Sequence, residues 1–182
     1  SNESTLTVSE KNTYSVIVTD IINNCTASAS LDVDKNVIAP TISIPAVEQI
    51  DCTHTSRTLT VNTTADTGHS VTYLWNNNSD QSTLTITEDG IYNITVTDNN
   101  NFCSVTGTQS VIKDITMPSV QIPAVNQIDC KTTQQTLLAQ TTAAHSVTYL
   151  WNDNSDKNSL VVTAGDVYSI QITDTQNHCT AS

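Results

Sequence analysis

His69-Ser70-Val71-Thr72-Tyr73-Leu74-Trp75-Asn76 recurs without a change as His145-Ser146-Val147-Thr148-Tyr149-Leu150-Trp151-Asn152. Within the first copy Val71, Tyr73 and Trp75 fall on one side of a two-residue period, the pattern of a strand with one buried face. Two longer matches frame it. Ile44-Pro45-Ala46-Val47 through Gln49-Ile50-Asp51-Cys52 returns 78 residues later as Ile122-Pro123-Ala124-Val125 through Gln127-Ile128-Asp129-Cys130. Ser4-Thr5-Leu6-Thr7-Val8, running on to Cys25, matches Ser82-Thr83-Leu84-Thr85-Ile86, running on to Cys103, at the same shift of 78. The Trp segments lie 76 apart, so two residues are lost near Ala65 to Gly68. A fixed period of this kind marks a repeat architecture before any other feature is weighed.

The frame divides the chain into the back half of one repeat at 1–40, a complete repeat at 41–118, and a third at 119–182 that stops short of its last strand. Ser1 aligns with Ser79, and Ser182 with Thr106. One expectation is a slice of a longer tandem array. The other is that the halves complete each other between molecules, one chain's end supplying a strand to the next. Ser1-Asn2-Glu3-Ser4 shows neither the basic nor the apolar region of a signal peptide, so none is expected in these residues.

Every other periodic segment also reads as strand. Leu84 and Ile86 alternate with Thr83, Thr85 and Thr87, Tyr92, Ile94 and Val96 share a phase, and Leu59 pairs with Val61. Thr and Val favour strands, and no window carries a 3.6-residue period. Asp89-Gly90, Gly165-Asp166 and Asn99-Asn100-Asn101 supply the turns, and Pro40, Pro45, Pro118 and Pro123 sit at the unit junctions or in the first strand. About six or seven strands of about 5–6 residues per unit are economically packed as a two-layer sandwich. The expected fold is all-β: tandem Ig-like β-sandwich repeats, with Trp75 and Trp151 at the core centres. Tyr92 and Tyr168, equivalent to Tyr14, stand where a tyrosine corner is expected.

Composition narrows the function classes. The formal charge is −12, from 18 acidic and six basic residues, with Arg57 the sole arginine. Nothing here grips phosphates, so nucleic acid and anionic membrane surfaces are not expected partners. No run approaches the ~20 apolar residues of a spanning helix.

The five cysteines occupy two repeat positions, and two pairing frames account for them equally. One joins Cys52 to Cys103 and Cys130 to Cys179, leaving Cys25 without a partner. The other joins Cys25 to Cys52 and Cys103 to Cys130, leaving Cys179. The count does not decide. The within-unit frame is the expectation, because a small domain with few aromatics needs its own staple, worth roughly 4 kcal/mol for a loop of about 50 residues. Disulfides imply export.

No enzyme is expected. His69-Ser70 and His145-Ser146 are the only pairs that suggest a hydrolase, and neither follows a nucleophile elbow. Asp20, Asp98 and Asp174 close strands rather than facing each other across a cleft. No cofactor or zinc site is expected, since no Cys-x-x-Cys occurs. Calcium is the one cation that the oxygens of Asp98-Asn99-Asn100-Asn101 and Asp32-Val33-Asp34, with Asp51 and Asp129, would suit; the alternative is a set of solvated acidic turns. Thr83, Thr85 and Thr87 with Thr95 and Thr97 would form a flat hydroxylated face, or simply the wet side of strands. Sequons stand at Asn2, Asn24, Asn62, Asn77 and Asn93.

Val71-Thr72-Tyr73-Leu74-Trp75-Asn76, then Ser82 to Thr87, then Gly90-Ile91-Tyr92-Asn93-Ile94-Thr95-Val96-Thr97-Asp98 and Cys103 resembles a known pattern. It is similar to the Ig-like repeats of very large Bacteroidetes surface proteins, including gliding-motility-type adhesins. Phe102 and His178 stand where that pattern has Gly before Cys. The resemblance implies an extracellular, cell-surface location and a stalk or fibre role in a secreted adhesin, with no catalytic residues. Expected partners are neighbouring repeats of the same chain or filament, and a surface or glycan ligand elsewhere in the full protein. Three rivals remain: a filament assembled by strand complementation, a calcium-stiffened linker, and a carbohydrate-binding module, which would need an exposed aromatic platform where only Phe102 is out of core phase.

Overall fold

The computed structural model describes residues 3–182; Ser1 and Asn2, and with them the first sequon, lie outside the described residues. The described residues form strands and no helix. An N-terminal hairpin, β1 (Asn12–Thr19) and β2 (Thr26–Val33), precedes seven strands: β3 (Thr41–Ser43), β4 (Arg57–Thr60), β5 (Asn62–Thr64), β6 (Val71–Trp75), β7 (Thr83–Ile86), β8 (Gly90–Asp98) and β9 (Ser104–Val111). The series then begins again as β10 (Ser119–Gln121), β11 (Gln135–Leu138), β12 (Gln140–Thr142), β13 (Val147–Trp151), β14 (Ser159–Val162), β15 (Ile170–Asp174) and β16 (Thr180–Ala181).

Pairing is antiparallel and repeats with the sequence. On one side β3 pairs with β5 and β4 with β7; on the other β6, β8 and β9 run side by side. β10–β12, β11–β14 and β13–β15–β16 copy the arrangement. A single parallel bridge ties Ile50 to Lys113, so the segment before Cys52 runs along the end of β9. Each pair of sheets encloses a core. Around Trp75 lie Ile50, Leu59, Val61, Leu84, Ile86, Ile94, Val96 and Val111; around Trp151 lie Leu137, Ala139, Leu160, Val162, Ile170 and Ile172. The indole nitrogens remain satisfied inside, Trp75 Nε1 donating to Gln81 O and Trp151 Nε1 to Lys157 O. Tyr92 and Tyr168 pack against the two cores from the rim. Their hydroxyls donate to the carbonyls of Glu88 and Ala164, four residues upstream, and Tyr14 does the same to Glu10. Two facing antiparallel layers with a tyrosine corner make the middle and third units Ig-like β-sandwiches.

Gly90 and Gly107 sit where a side chain is unwelcome. Gly90 enters β8 at φ +149°, outside the range of L side chains. A Cβ on Gly107 would come 2.6 Å from Ile42 Cδ1, because β9 lies close against the first strand.

Two departures follow from sheet assignment. The Thr rows do not share a face: Thr83 and Thr85 lie on β7 beside β4, whereas Thr95 and Thr97 lie on β8 in the other sheet. With Leu84 and Ile86 meeting Ile94 and Val96 across one core, the two rows face outward in opposite directions. The hairpin β1–β2 keeps full register but has no opposing sheet among the described residues. Val16 and Val18 hold the positions of Ile94 and Val96 in the repeat, yet are 55% and 63% exposed against 1% and 0%.

Candidate functional site at the unit junction

The acids that close the tyrosine strands build a loop rather than a catalytic cleft. In residues 98–103, Asp98 N donates to Cys103 O, Phe102 N to Asp98 O, and Cys103 N to Asn101 Oδ1. Asp98 Oδ1 accepts the N–H groups of Asn100 and Asn101. The turn requires φ of 60° at Phe102. The same backbone bonds recur in residues 20–25 and 174–179, with Asn24 and His178 at φ 56°. We call this the back loop. Positive φ is uncommon for a non-glycine residue, yet it occurs at this repeat position in all three loops, each closed by the same Asp and Asn bonds. The repeated Asn-x-Cys of Asn23, Asn101 and Asn177 was the available sequence signal for this loop; composition and periodicity passed over it.

A second, smaller loop follows the first strand of the middle and third units. Asp51 N donates to His54 O, while Asp51 Oδ1 accepts the N–H groups of Thr53 and His54. Asp129 does the same with Lys131 and Thr132. This front loop presents Cys52 or Cys130.

The two loop types meet between the middle and third units. Cys52 is bonded to Cys179, 127 residues away in sequence. Around the bond Cys52 N donates to Asn177 O at 3.0 Å, Gln49 Nε2 to Gln176 O at 2.8 Å, and the His178 ring meets Asp51 Oδ2 at 3.0 Å. Asn177, fully buried, sends its amide to Asp114 Oδ1 and Thr116 O in the connecting segment. The junction between the N-terminal hairpin and the middle unit has the same clamp, Asn101 Nδ2 donating to Asn36 Oδ1 and Ile38 O.

This overturns the expected pairing. Cys52 is not joined to Cys103, nor Cys130 to Cys179; Cys103 and Cys130 carry free thiols, as does Cys25. The cause is the length of β8. Ile50, two residues before Cys52, bridges Lys113 just past the Gly90 end of the nine-residue β8, while Cys103 follows its Asp98 end. At ~3.3 Å per residue the strand separates them by about 27 Å, against a Cα separation of roughly 4.4–6.8 Å for a disulfide. Cysteines of one unit therefore sit at opposite ends of its sandwich. The alternative frame fails as well, because Cys103 faces the preceding unit rather than the one that carries Cys130.

The histidines complete the clamps. His69 Nδ1 lies 2.6 Å from Asp98 Oδ2 and His145 Nδ1 3.0 Å from Asp174 Oδ2. Ser70 Oγ accepts from Asn99 Nδ2, so the Ser-His pair points to two different partners. Burial opposes ionisation of Asp98, Asp174 and Asp51, but bonds to the charged form override it, and all three carboxyls stay below the usual range. For Asp98 these bonds come from His69 and the Asn100 and Asn101 N–H groups; for Asp174 from the Gln176 and Asn177 N–H groups and His145; for Asp51 chiefly from the His54 N–H, the Thr53 hydroxyl and His178.

The oxygens weighed for calcium are engaged within the chain: Asp98 in its loop, Asp32 with the Thr13 hydroxyl, Asp34 with Lys11. No group of three or more acidic, His or Cys side chains suited to a metal occurs among the described residues. Asp51 lies in the occupied junction, and Asp129 in a separate, exposed front loop. Phe102 is 80% exposed.

The fold is of the Ig-like class, and it carries a disulfide, a bond that persists in oxidising environments. No protein-family model matches the chain, and no curated protein matches it. Among solved structures, the three N-terminal domains of the bacteriophage RB49 Highly Immunogenic Outer Capsid protein (Hoc) are similar at a TM-score of 0.40 and 16% identity. The match covers 78% of this chain and 56% of that one, so the chain spans little more than half its length. No helix among the described residues is long and apolar enough to cross a membrane.

Proposed function

We propose that the chain is a non-enzymatic stalk or fibre segment of a secreted cell-surface adhesin, as the resemblance to Bacteroidetes surface repeats suggests. The supporting observation is the junction. Consecutive sandwiches are joined by a disulfide, a buried Asn clamp and a Pro-marked connection, with Pro40 and Pro118 both buried just before the first strand of a unit. Such a junction resists bending, so the beads hold an attached binding tip away from the cell. Immunogold electron microscopy of the source cells, with antibody raised to this chain, tests the reading together with the mass of the reactive polypeptide. Label outside the cell on a polypeptide much larger than this chain supports it; label confined to the cytoplasm refutes it.

One observation favours the strand-complementation reading as second choice. The third unit carries a cleft of about 460 Å³ lined by Val125, Ile128, Leu137, Val162 and Tyr168 among others. In the middle unit the equivalent place is filled by Val111 to Lys113, where Ile50 N donates to Ile112 O. Val33 and Lys35, at the end of the uncovered hairpin, are their repeat equivalents. Ordered fibres made of polypeptides of this chain's own size would support that reading instead.

A further inference from the structure

The occupied junction supplies a template for the unpaired cysteines. Its rule is directional: the front-loop cysteine of one unit, Cys52, bonds the back-loop cysteine of the next, Cys179. Two further half-sites are folded in the same way. The back loop at Cys103 has every backbone bond of the loop at Cys179 and the same Asn clamp onto the preceding connection. The front loop at Cys130 has the Asp-centred bonds of the loop at Cys52. Neither loop depends on a disulfide for its shape, since both are formed with the thiol free. Cys179 is fully buried by its partner loop, whereas Cys103 is half-buried and Cys130 exposed.

We propose that Cys103 and Cys130 are unfilled halves of this same junction. Each takes the complementary loop of another copy of the repeat: Cys103 the front loop of a preceding unit, Cys130 the back loop of a following one. The proposal rests on the repeat-array reading and specifies its joints. An array then carries one disulfide per junction and none within a sandwich, and every bond crosses from front loop to back loop. The chemistry is thiol–disulfide exchange with a small-molecule or protein disulfide as oxidant. A protein thiolate attacks the oxidant's S–S bond, giving a mixed disulfide and releasing one thiol. The second protein thiolate then displaces the other thiol, so two cysteine thiols are oxidised and one disulfide is reduced to two thiols.

Because the loops are preformed, a second copy of the 182-residue chain is the probe. The chain is held at high concentration in a buffer of reduced and oxidised glutathione and the remaining thiols are blocked. Non-reducing gels and peptide mass mapping then identify the bonds. The expected result is Cys52–Cys179 in every molecule and a covalent ladder whose intermolecular bonds all join Cys130 to Cys103 or to Cys25, the other free back-loop cysteine. Cys130→Ser, at an exposed position, abolishes the ladder and leaves Cys52–Cys179 intact. Asp129→Ala, which keeps the thiol but removes the loop's organising carboxylate, weakens the ladder without lowering labelling of Cys130 by iodoacetamide. Pairing of front with front or back with back, a Cys103–Cys130 bond inside one chain, or three thiols that stay reduced would each overturn the proposal. Scrambled pairing leaves the cellular location untouched, and cytoplasmic label leaves the pairing map untouched, so the two readings fail separately.

Discussion

Replacing Cys52 by Ser separates the observed junction from the pairing expected within a unit. With the middle sandwich folded, the bond closes a loop consisting of the third unit, roughly 65 residues from the connection to Cys179. The chain-entropy relation gives about 4 kcal/mol at 25 °C for such a loop, and about 5 kcal/mol if both units unfold together across the 127-residue separation. The loss falls on the third unit, whose core has no counterpart of Val111 and opens into the cleft. A unit of this size has a urea dependence of roughly 1 kcal/mol per molar, so the transition should move down by several molar. Urea titration read by tryptophan fluorescence in a Trp75→Phe background, where Trp151 reports alone, measures it. Cys103→Ser is the control, with the Trp151 midpoint unchanged. Under a Cys52–Cys103 bond the loss would instead fall on the middle unit in both variants, and the Trp151 midpoint would stay put in each. A Cys52→Ser protein whose Trp151 midpoint stays within about half a molar of the parent would refute the reasoning.

Equivalent repeat positions should respond unequally: Ile94→Ala costs about 2–5 kcal/mol by urea titration, whereas Val16→Ala, on the uncovered hairpin, stays within roughly 0.5 kcal/mol. Tyr92→Phe removes the bond to Glu88 O and costs about 1 kcal/mol, seen as a lower urea midpoint with unchanged slope. Acid should destabilise the chain, because Asp51, Asp98 and Asp174 have depressed folded values: their contribution is whole above the ordinary carboxylate range near 4 and is lost as pH falls toward those values. Thermal midpoints followed from pH 6 to pH 2 should fall, and Asp98→Asn, less stable at neutral pH, should show a shallower acid limb.

How far the sequence reaches depends on the range of the interaction. Alternation is local, so Leu59, Leu84, Ile86, Ile94 and Val96 could be placed in the core from their own neighbours, and all are buried. The tyrosine corner is equally local, a hydroxyl reaching a carbonyl four residues back. The repeat frame came from identity at a distance and required no geometry. The back loop also lay in plain view as a repeated Asn-x-Cys, although its meaning depends on the clamp that the Asn makes across a junction.

Other properties were set by what lies opposite a residue in space. Val16 and Val18 carry core-facing side chains into solvent because no sheet among the described residues faces their hairpin, and the Thr rows part company because β7 and β8 belong to different sheets. The disulfide is the clearest case. Repeat position gave each cysteine its class, front or back, but both frames drawn from the sequence assumed that partners lie in one unit or in consecutive loops. A strand about 27 Å long places the cysteines of a unit at its two ends, and stacking brings Cys52 to Cys179. Sequence determined the strands, the repeat and the loop chemistry; the stacking of sandwiches end to end decided which thiols meet.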